Sequence, residues 1–179
     1  MSTAAVYRPE LTPIDETRSP DPLGDYGRAK LEAEEILRQP GSGFGLTILR
    51  LGNVAGADAL LSSARQGVVV LDPIPGQSGG PERSYIGPKA LAAALQHLLT
   101  SAAQGDTLPE ILNLAQEPAL PMADLLTAFG ATWRFGPPRE AAIPRVALSV
   151  TRLKTCIDLP EATASGIVAD LNALKALWP

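Results

Sequence analysis

The sequence predicts an α/β fold built on a parallel sheet, and three observations carry that expectation. Residues 25–38, DYGRAKLEAEEILR, are good helix formers. They are followed by LTILRL at 46–51, a short branched apolar run of the kind that forms a strand buried on both faces. With an opening strand over residues 1–7, these segments run strand, loop, helix, strand, which is α/β order.

The elements follow in turn. MSTAAVY reads as the tail of a strand, and RPELTPIDETRSPDPLG (8–24) as a surface loop because its prolines interrupt any regular element. The helix from Asp25 to Arg38 has an apolar stripe of Ala29, Ala33, Ile36 and Leu37, and Pro40-Gly41 stop it. Asp21 and Asp25 flank its start as candidate caps. The strand over 46–51 ends near Gly52, and Gly52-Asn53 has turn composition. Residues 57–65 form a helix or turn, VVVLD an apolar segment, and PIPGQSGGPE a loop. RSYI (83–86) then reads as a strand running into a helix that starts at Pro88, where the missing N–H costs nothing. A strand over 110–114, a short helix MADLLTAFG, a strand in TWRFGP and a C-terminal helix IVADLNALKALW complete the chain, with Trp133 and Trp178 as packing residues.

Composition narrows the function. The 179 residues are 45% apolar, enough for a substantial core. The net charge of -4 leaves no basic footprint for nucleic acid, and no window approaches the roughly 18 apolar residues that mark a membrane helix. The start lacks the charged and apolar regions of a signal peptide. Cys156 stands alone, which excludes an internal disulfide and a cysteine metal site and suits a reducing cytoplasm. His97, the one histidine, sits within ALAAALQHLLT as a surface or packing residue.

Two Tyr-x-x-x-Lys pairs occur, YGRAK at 26–30 and YIGPK at 85–89. In the first, Tyr26 and Lys30 lie on one helix, one turn apart, and so share a face. In the second, Pro88 pushes Gly87 towards extended backbone, which puts Tyr85 on the strand and Lys89 on the next helix. Only the first pair is arranged for joint chemistry. A phenol titrates near pH 10, and a neighbouring cation that favours phenolate is what lets such a group take a proton from a hydroxyl at neutral pH.

STAAVY (2–7), YGRAKLEAE (26–34), LRLGNVAG (49–56) and RSYIGPKALAAAL (83–95) follow one another as in the extended short-chain dehydrogenase/reductases, the NAD-dependent epimerase/dehydratase family. The chain resembles the second half of that family over nearly all its length. The resemblance implies a partial Rossmann-like doubly wound parallel sheet over residues 1–56. Residues 57–179 would hold a small α/β substrate-binding subdomain interleaved with the remaining Rossmann elements. It implies an epimerase or related reductase that uses NAD or NADP, takes a nucleotide-sugar substrate, and forms a homodimer to which helix 26–38 contributes.

The same resemblance assigns roles. Thr3, Tyr26 and Lys30 would be the catalytic residues, with Tyr26 as acid/base, Lys30 supplying the cation and bonding the nicotinamide ribose, and Thr3 aligning the reacting oxygen. Tyr26, Lys30, Leu51 and Gly52 would meet the cofactor. Thr3, Asn53 and Arg83 would hold the substrate, Arg83 through the bidentate fork that suits a pyrophosphate. Arg50 reads instead as a structural partner near the strand end, and no residue is assigned to a metal.

The chain departs from the pattern in places. Ser84, Gly87 and Ala90 stand where the family usually has Asp, His and Asp, so the hydrogen bonding there must differ. Ala4-Ala5 follow Thr3 where 4,6-dehydratases place Asp-Glu, which argues against that mechanism. No glycine-rich dinucleotide loop occurs. The expectation is therefore of a fragment, a mis-started reading frame, or half of a two-chain assembly, with unpaired groups on the strand near Met1. The competing expectation is a non-catalytic binding or sensor module on the same scaffold.

Overall fold

The computed structural model describes residues 1–39 and 45–175, so the expected stop at Pro40-Gly41 and the packing role of Trp178 lie outside the described residues. In chain order, strand β1 (Ser2–Thr3) passes into a 3-10 turn (Ala4–Val6), followed by helix α1 (Asp25–Leu37), β2 (Ile48–Leu51), β3 (Asn53–Val54), α2 (Ala59–Ala64) and β4 (Val69–Leu71). Next come β5 (Glu82–Arg83), β6 (Tyr85–Ile86), α3 (Pro88–Gln104) and β7 (Ile111–Leu114). The chain ends with β8 (Leu120–Pro121), α4 (Met122–Phe129), β9 (Trp133–Phe135), β10 (Arg145–Val146), a second 3-10 turn (Leu153–Thr155) and α5 (Ala164–Lys175).

The main sheet has the order β1-β2-β7 and is parallel throughout. β2 is central, and three of its four residues are buried, as its branched apolar sequence requires. Ser2 pairs with Arg50 and Thr3 with Leu51. Because side chains alternate along a strand, Ser2 and Arg50 share one face of the sheet and Thr3 and Leu51 the other. A parallel pair of β3 with β6, a β10-β5-β8 ribbon and a parallel β4-β9 pair extend the fold. No described helix is long and apolar enough to cross a membrane.

Apolar burial divides into two clusters. One gathers Val6, Leu49, Ile86, Ala94, Leu98, Leu112 and Leu114 around the main sheet and α3. The other gathers Leu61, Leu71, Tyr85, Leu125, Leu126 and Ile167 from α2, β4, β6, α4 and α5. Adjacent residues Tyr85 and Ile86 point into opposite clusters, so β6 links them.

Several sequence expectations are corrected. The strand over 83–86 is two short strands, with β5 pairing β8 and β10 while β6 pairs β3. Ser84 marks the change of partner, its Oγ accepting a hydrogen bond from the Leu148 N–H. Gly52-Asn53 is not a turn, because Asn53 lies in β3 opposite Tyr85. Neither Asp21 nor Asp25 caps α1. Their carboxylates are drawn to Arg8 and Arg28, and Gly24 is the N-cap without a side-chain bond. The opening strand is shorter than expected, since the backbone turns into the 3-10 conformation at Ala4, with Thr3 Oγ1 accepting from Ala5 N–H.

The larger correction concerns the orientation of α1. Ala29, Ala33, Ile36 and Leu37 are exposed, and the buried positions are Gly27 and Glu34. Hydrophobic periodicity failed here because two specific contacts outrank it. A Cβ at Gly27 would stand 2.2 Å from the Ala5 carbonyl oxygen, so glycine lets the helix lie directly on the chain after β1. The Glu34 carboxylate meets the guanidinium of Arg50 on β2 at 2.6 Å, with both side chains at least 98% buried. Arg50 is thus the structural partner that the sequence suggests.

The altered segment after β6 also finds its explanation. α3 begins at Pro88 with Gly87 as an N-cap that has no side chain. Asp170 of α5 supplies the missing acceptor, its two carboxylate oxygens taking the N–H groups of Lys89 (2.7 Å) and Ala90 (3.1 Å). A Cβ at Gly87 would lie 2.3 Å from Asp170 Oδ2, so the glycine makes room for that carboxylate.

Candidate active site

Five elements meet at one cavity of about 370 Å³. Its lining includes Thr3 from β1, Tyr26 from α1, Leu51 from β2, Asn53 from β3 and Arg83 from β5. Thr3 and Leu51 arrive by strand register, being paired neighbours on the same face of the main sheet. Asn53 follows where the chain leaves β2, and Arg83 precedes the crossing at Ser84. Tyr26 stands at the first turn of α1 and is 62% exposed, so its phenol is reachable from solvent.

The other two sequence-assigned residues lie beside the cavity. Lys30 Nζ sits 6.0 Å from the centre of the Tyr26 ring, one turn along α1, and donates a long 3.5 Å hydrogen bond to the Met1 carbonyl oxygen. Gly52 N–H donates to the Leu114 carbonyl, and a Cβ on Gly52 would be 2.7 Å from the Ser84 carbonyl oxygen. Its glycine is needed for close packing of β2 against the chain at Ser84. The second pair, Tyr85 and Lys89, is separated as expected, with Tyr85 fully buried and Lys89 exposed.

Two site residues already have work within the chain. Thr3 Oγ1 accepts from Ala5 N–H at 3.2 Å, which leaves its own proton to donate. The Arg83 guanidinium donates to the carbonyl oxygens of Glu82 (2.8 Å) and Ile143 (3.0 Å). Burial pulls Arg83 below its ordinary value, with Tyr85 and Asp72 opposing.

Sequence reading missed other parts of the lining. Ile143 and Val146, far along the chain, close one wall, and Tyr7 contributes from the end of the first 3-10 turn. Tyr7 Oη accepts from Arg50 Nη1 at 2.9 Å and donates to Asn113 Oδ1 at 3.0 Å. Burial raises the Tyr7 phenol despite the lowering effect of Arg50. The motif S-T-A-A-V-Y contains Tyr7, but nothing in its spacing announces these partners. His97 and Trp133 stay away from the cavity, His97 Nε2 contacting the Cys156 carbonyl oxygen and Trp133 Nε1 donating to Thr127 Oγ1. Among the described residues no group of three or more His, Cys, Asp or Glu could hold a metal ion.

The lining fits one end of a nicotinamide dinucleotide. Thr3 and Tyr26 offer hydroxyls, Leu51 and the alanines offer apolar contact for a ring, and Asn53 and Arg83 lie on the same lining.

Comparisons with known proteins bear on the family and the fold. The family model described as NAD dependent epimerase/dehydratase family matches residues 1–115. A UDP-glucose 4-epimerase of Azospirillum brasilense is 52% identical over 60 residues, which are 32% of this chain and 17% of that protein. Among solved structures, a UDP-glucose-4-epimerase from Stenotrophomonas maltophila with bound NAD and formylated UDP-arabinopyranose superimposes with a TM-score of 0.75 at 22% identity, over 98% of this chain and 63% of that one. A UDP-glucose 4-epimerase from Brucella ovis in complex with NAD gives a TM-score of 0.78 at 19% identity, over 93% of this chain and 61% of that one. The chain therefore spans less than two thirds of the length of these relatives. The likeness shows the fold, a partial Rossmann-like α/β architecture.

Proposed function

The chain belongs to the NAD dependent epimerase/dehydratase family, and from that premise we propose that it forms the acid/base and substrate end of a sugar-nucleotide epimerase or related reductase. The observation that carries this reading is the meeting of Thr3, Tyr26, Leu51, Asn53 and Arg83, from five separate elements, on one cavity. Residues assembled from so far apart along the chain are explained by a shared ligand better than by local structure.

The proposed mechanism assigns one task to each side chain. Thr3 donates its free proton to the reacting sugar oxygen and aligns it. Tyr26 takes the hydroxyl proton and later returns it, with Lys30, one turn away, favouring the phenolate. Leu51 and Gly52 face the nicotinamide, and Asn53 with Arg83 hold the substrate diphosphate. NAD, when bound, supplies the hydride acceptor and donor. NAD is preferred over NADP because the similar solved structures are NAD complexes. The outward apolar side of α1 supports a second copy of the protein as the partner there. The two apolar clusters support a division near residue 56, with the segment from Ile86 to Leu114 returning to the first. The unpaired Cys156 favours a cytoplasmic location.

A second reading, a non-catalytic binding module, is favoured by the bonds of Thr3 and Arg83 to their own backbone surroundings. Turnover of UDP-glucose by the complete protein, any upstream coding sequence included, separates the two. Under the epimerase reading, Tyr26→Phe lowers kcat about 10²- to 10⁴-fold while UDP binding persists. Wild-type turnover in Tyr26→Phe removes Tyr26 as the acid/base, whereas UDP binding with no turnover in the native protein establishes the second reading instead.

A further inference from the structure

We infer that the buried Glu34–Arg50 pair is a positioning device that sets α1, and with it Tyr26 and Lys30, over the cavity. The inference rests on the acid/base reading of Tyr26.

Apart from half-buried Leu31, which packs against the cluster around the main sheet, the helix has little apolar grip. Its apolar stripe faces outward, and its buried positions are Gly27 and Glu34, two turns apart on one face. Tyr26 adjoins the first anchor, and Lys30 lies midway between the two. Any slide or roll of α1 therefore carries both functional groups with it.

Glu34 is bound in a way that forbids such movement. Arg50 Nε (3.0 Å) and Nη2 (2.6 Å) grip its two carboxylate oxygens as a bidentate fork, which fixes direction as well as distance. Ser2 Oγ donates to the same carboxylate at 2.5 Å. Strand alternation gives these contacts their meaning. Ser2 and Arg50 are cross-strand partners on the α1 side of the sheet, and their chain neighbours Thr3 and Leu51 are partners on the cavity side. The carboxylate thus references α1 to the very strand pair that presents Thr3 and Leu51.

The network reaches the cavity by a second route. Arg50 Nη1 donates to Tyr7 Oη, and Tyr7 lines the cavity. The Arg50 guanidinium also lies 4.7 Å from the Tyr7 ring centroid. Asn113 of β7 extends the chain of bonds, its Nδ2 donating to the carbonyl oxygens of Ile14 and Ser149. Burial by itself would raise the Glu34 carboxyl, but the bonds from Arg50 and Ser2 outweigh it and hold the group below its ordinary value. The carboxylate is charged and committed.

Stability does not require such a pair, because well-packed apolar residues in its place are often neutral or stabilising. That difference supplies the test. In the complete protein with NAD and UDP-glucose, the double variant Glu34→Leu/Arg50→Met is compared with Glu34→Leu and with Tyr26→Phe. A positioning role predicts that Glu34→Leu lowers Tm, by stranding Arg50, and that the double variant regains Tm. The double variant still loses about tenfold to a hundredfold in kcat, with KM within about threefold of wild type.

Wild-type kcat in a double variant of restored Tm overturns the inference, provided that Tyr26→Phe is inactive. Wild-type kcat in Tyr26→Phe overturns the underlying site reading as well. Should the double variant not fold, Glu34→Asp decides, since it keeps the charge and shortens the arm by one methylene. A fall in kcat at constant KM supports positioning, and unchanged kcat removes it.

Discussion

A Cβ placed on Gly27 would stand 2.2 Å from the carbonyl oxygen of Ala5, a backbone atom in the turn that follows Thr3. Helix α1 and the end of β1 are therefore in direct backbone contact, and the distance between Tyr26 and Thr3 is set by the absence of one methyl group.

Gly27→Ala should accordingly be costly although alanine is the better helix former. Neither the Ala5 carbonyl nor the neighbouring Pro22 side chain, 2.8 Å from the same Cβ, can yield easily. We expect a loss of about 2 kcal/mol or more in denaturant unfolding. Gly45→Ala, whose Cβ would meet nothing within 4 Å, serves as the control and should change stability by about 0.5 kcal/mol at most. Equal stabilities for the two variants would show that α1 does not rest on Ala5 as described.

Asp170 should act as a cap for a helix that begins 82 residues earlier in the chain, at Pro88. Asp170→Ala removes the acceptor for the Lys89 and Ala90 N–H groups and should cost about 1 to 2 kcal/mol. Hydrogen exchange gives the specific signature, since those two amides should lose protection while the middle of α3 keeps it. Unchanged exchange at Lys89 and Ala90 would contradict the cap.

Stability should decline in alkali because two of the three tyrosines are buried. Burial raises both phenols above the ordinary value near 10, with Asp58 adding to the effect at Tyr85. A native value above the unfolded one means that the stabilisation is complete below about pH 10 and is lost as pH rises through the native values. Thermal unfolding followed from pH 8 to 11.5 should show Tm falling above about pH 10. Phenolate absorbance from Tyr7 and Tyr85 should appear together with unfolding. Tyr85→Phe should change stability by only about 1 kcal/mol at neutral pH, and it should lessen the alkaline loss. Ionisation of Tyr7 and Tyr85 in the folded protein would refute their burial.

Much of the architecture was legible from local chemistry. Pro88 starts α3, the branched run before Gly52 forms the central strand, and YIGPK is divided between strand and helix, all because backbone sterics and side-chain alternation act over a few residues. The family resemblance likewise rested on short ordered motifs, and the match over residues 1–115 agrees with it.

What the sequence could not decide was which face of α1 is buried. Its apolar stripe was plain to read, yet Ala29, Ala33, Ile36 and Leu37 face outward. Periodicity reports average burial, whereas the placement of α1 depends on two contacts with residues distant in the chain: Gly27 on Ala5, and Glu34 in the fork of Arg50. The same limit applies to Asp170 at the start of α3 and to Ile143 and Val146 in the cavity wall. Each becomes visible only when the fold brings its partner near. Local propensity and pattern therefore determined the elements and their order, while tertiary structure decided their facing, because close packing and buried charge pairs are specified by partners that sequence spacing does not contain.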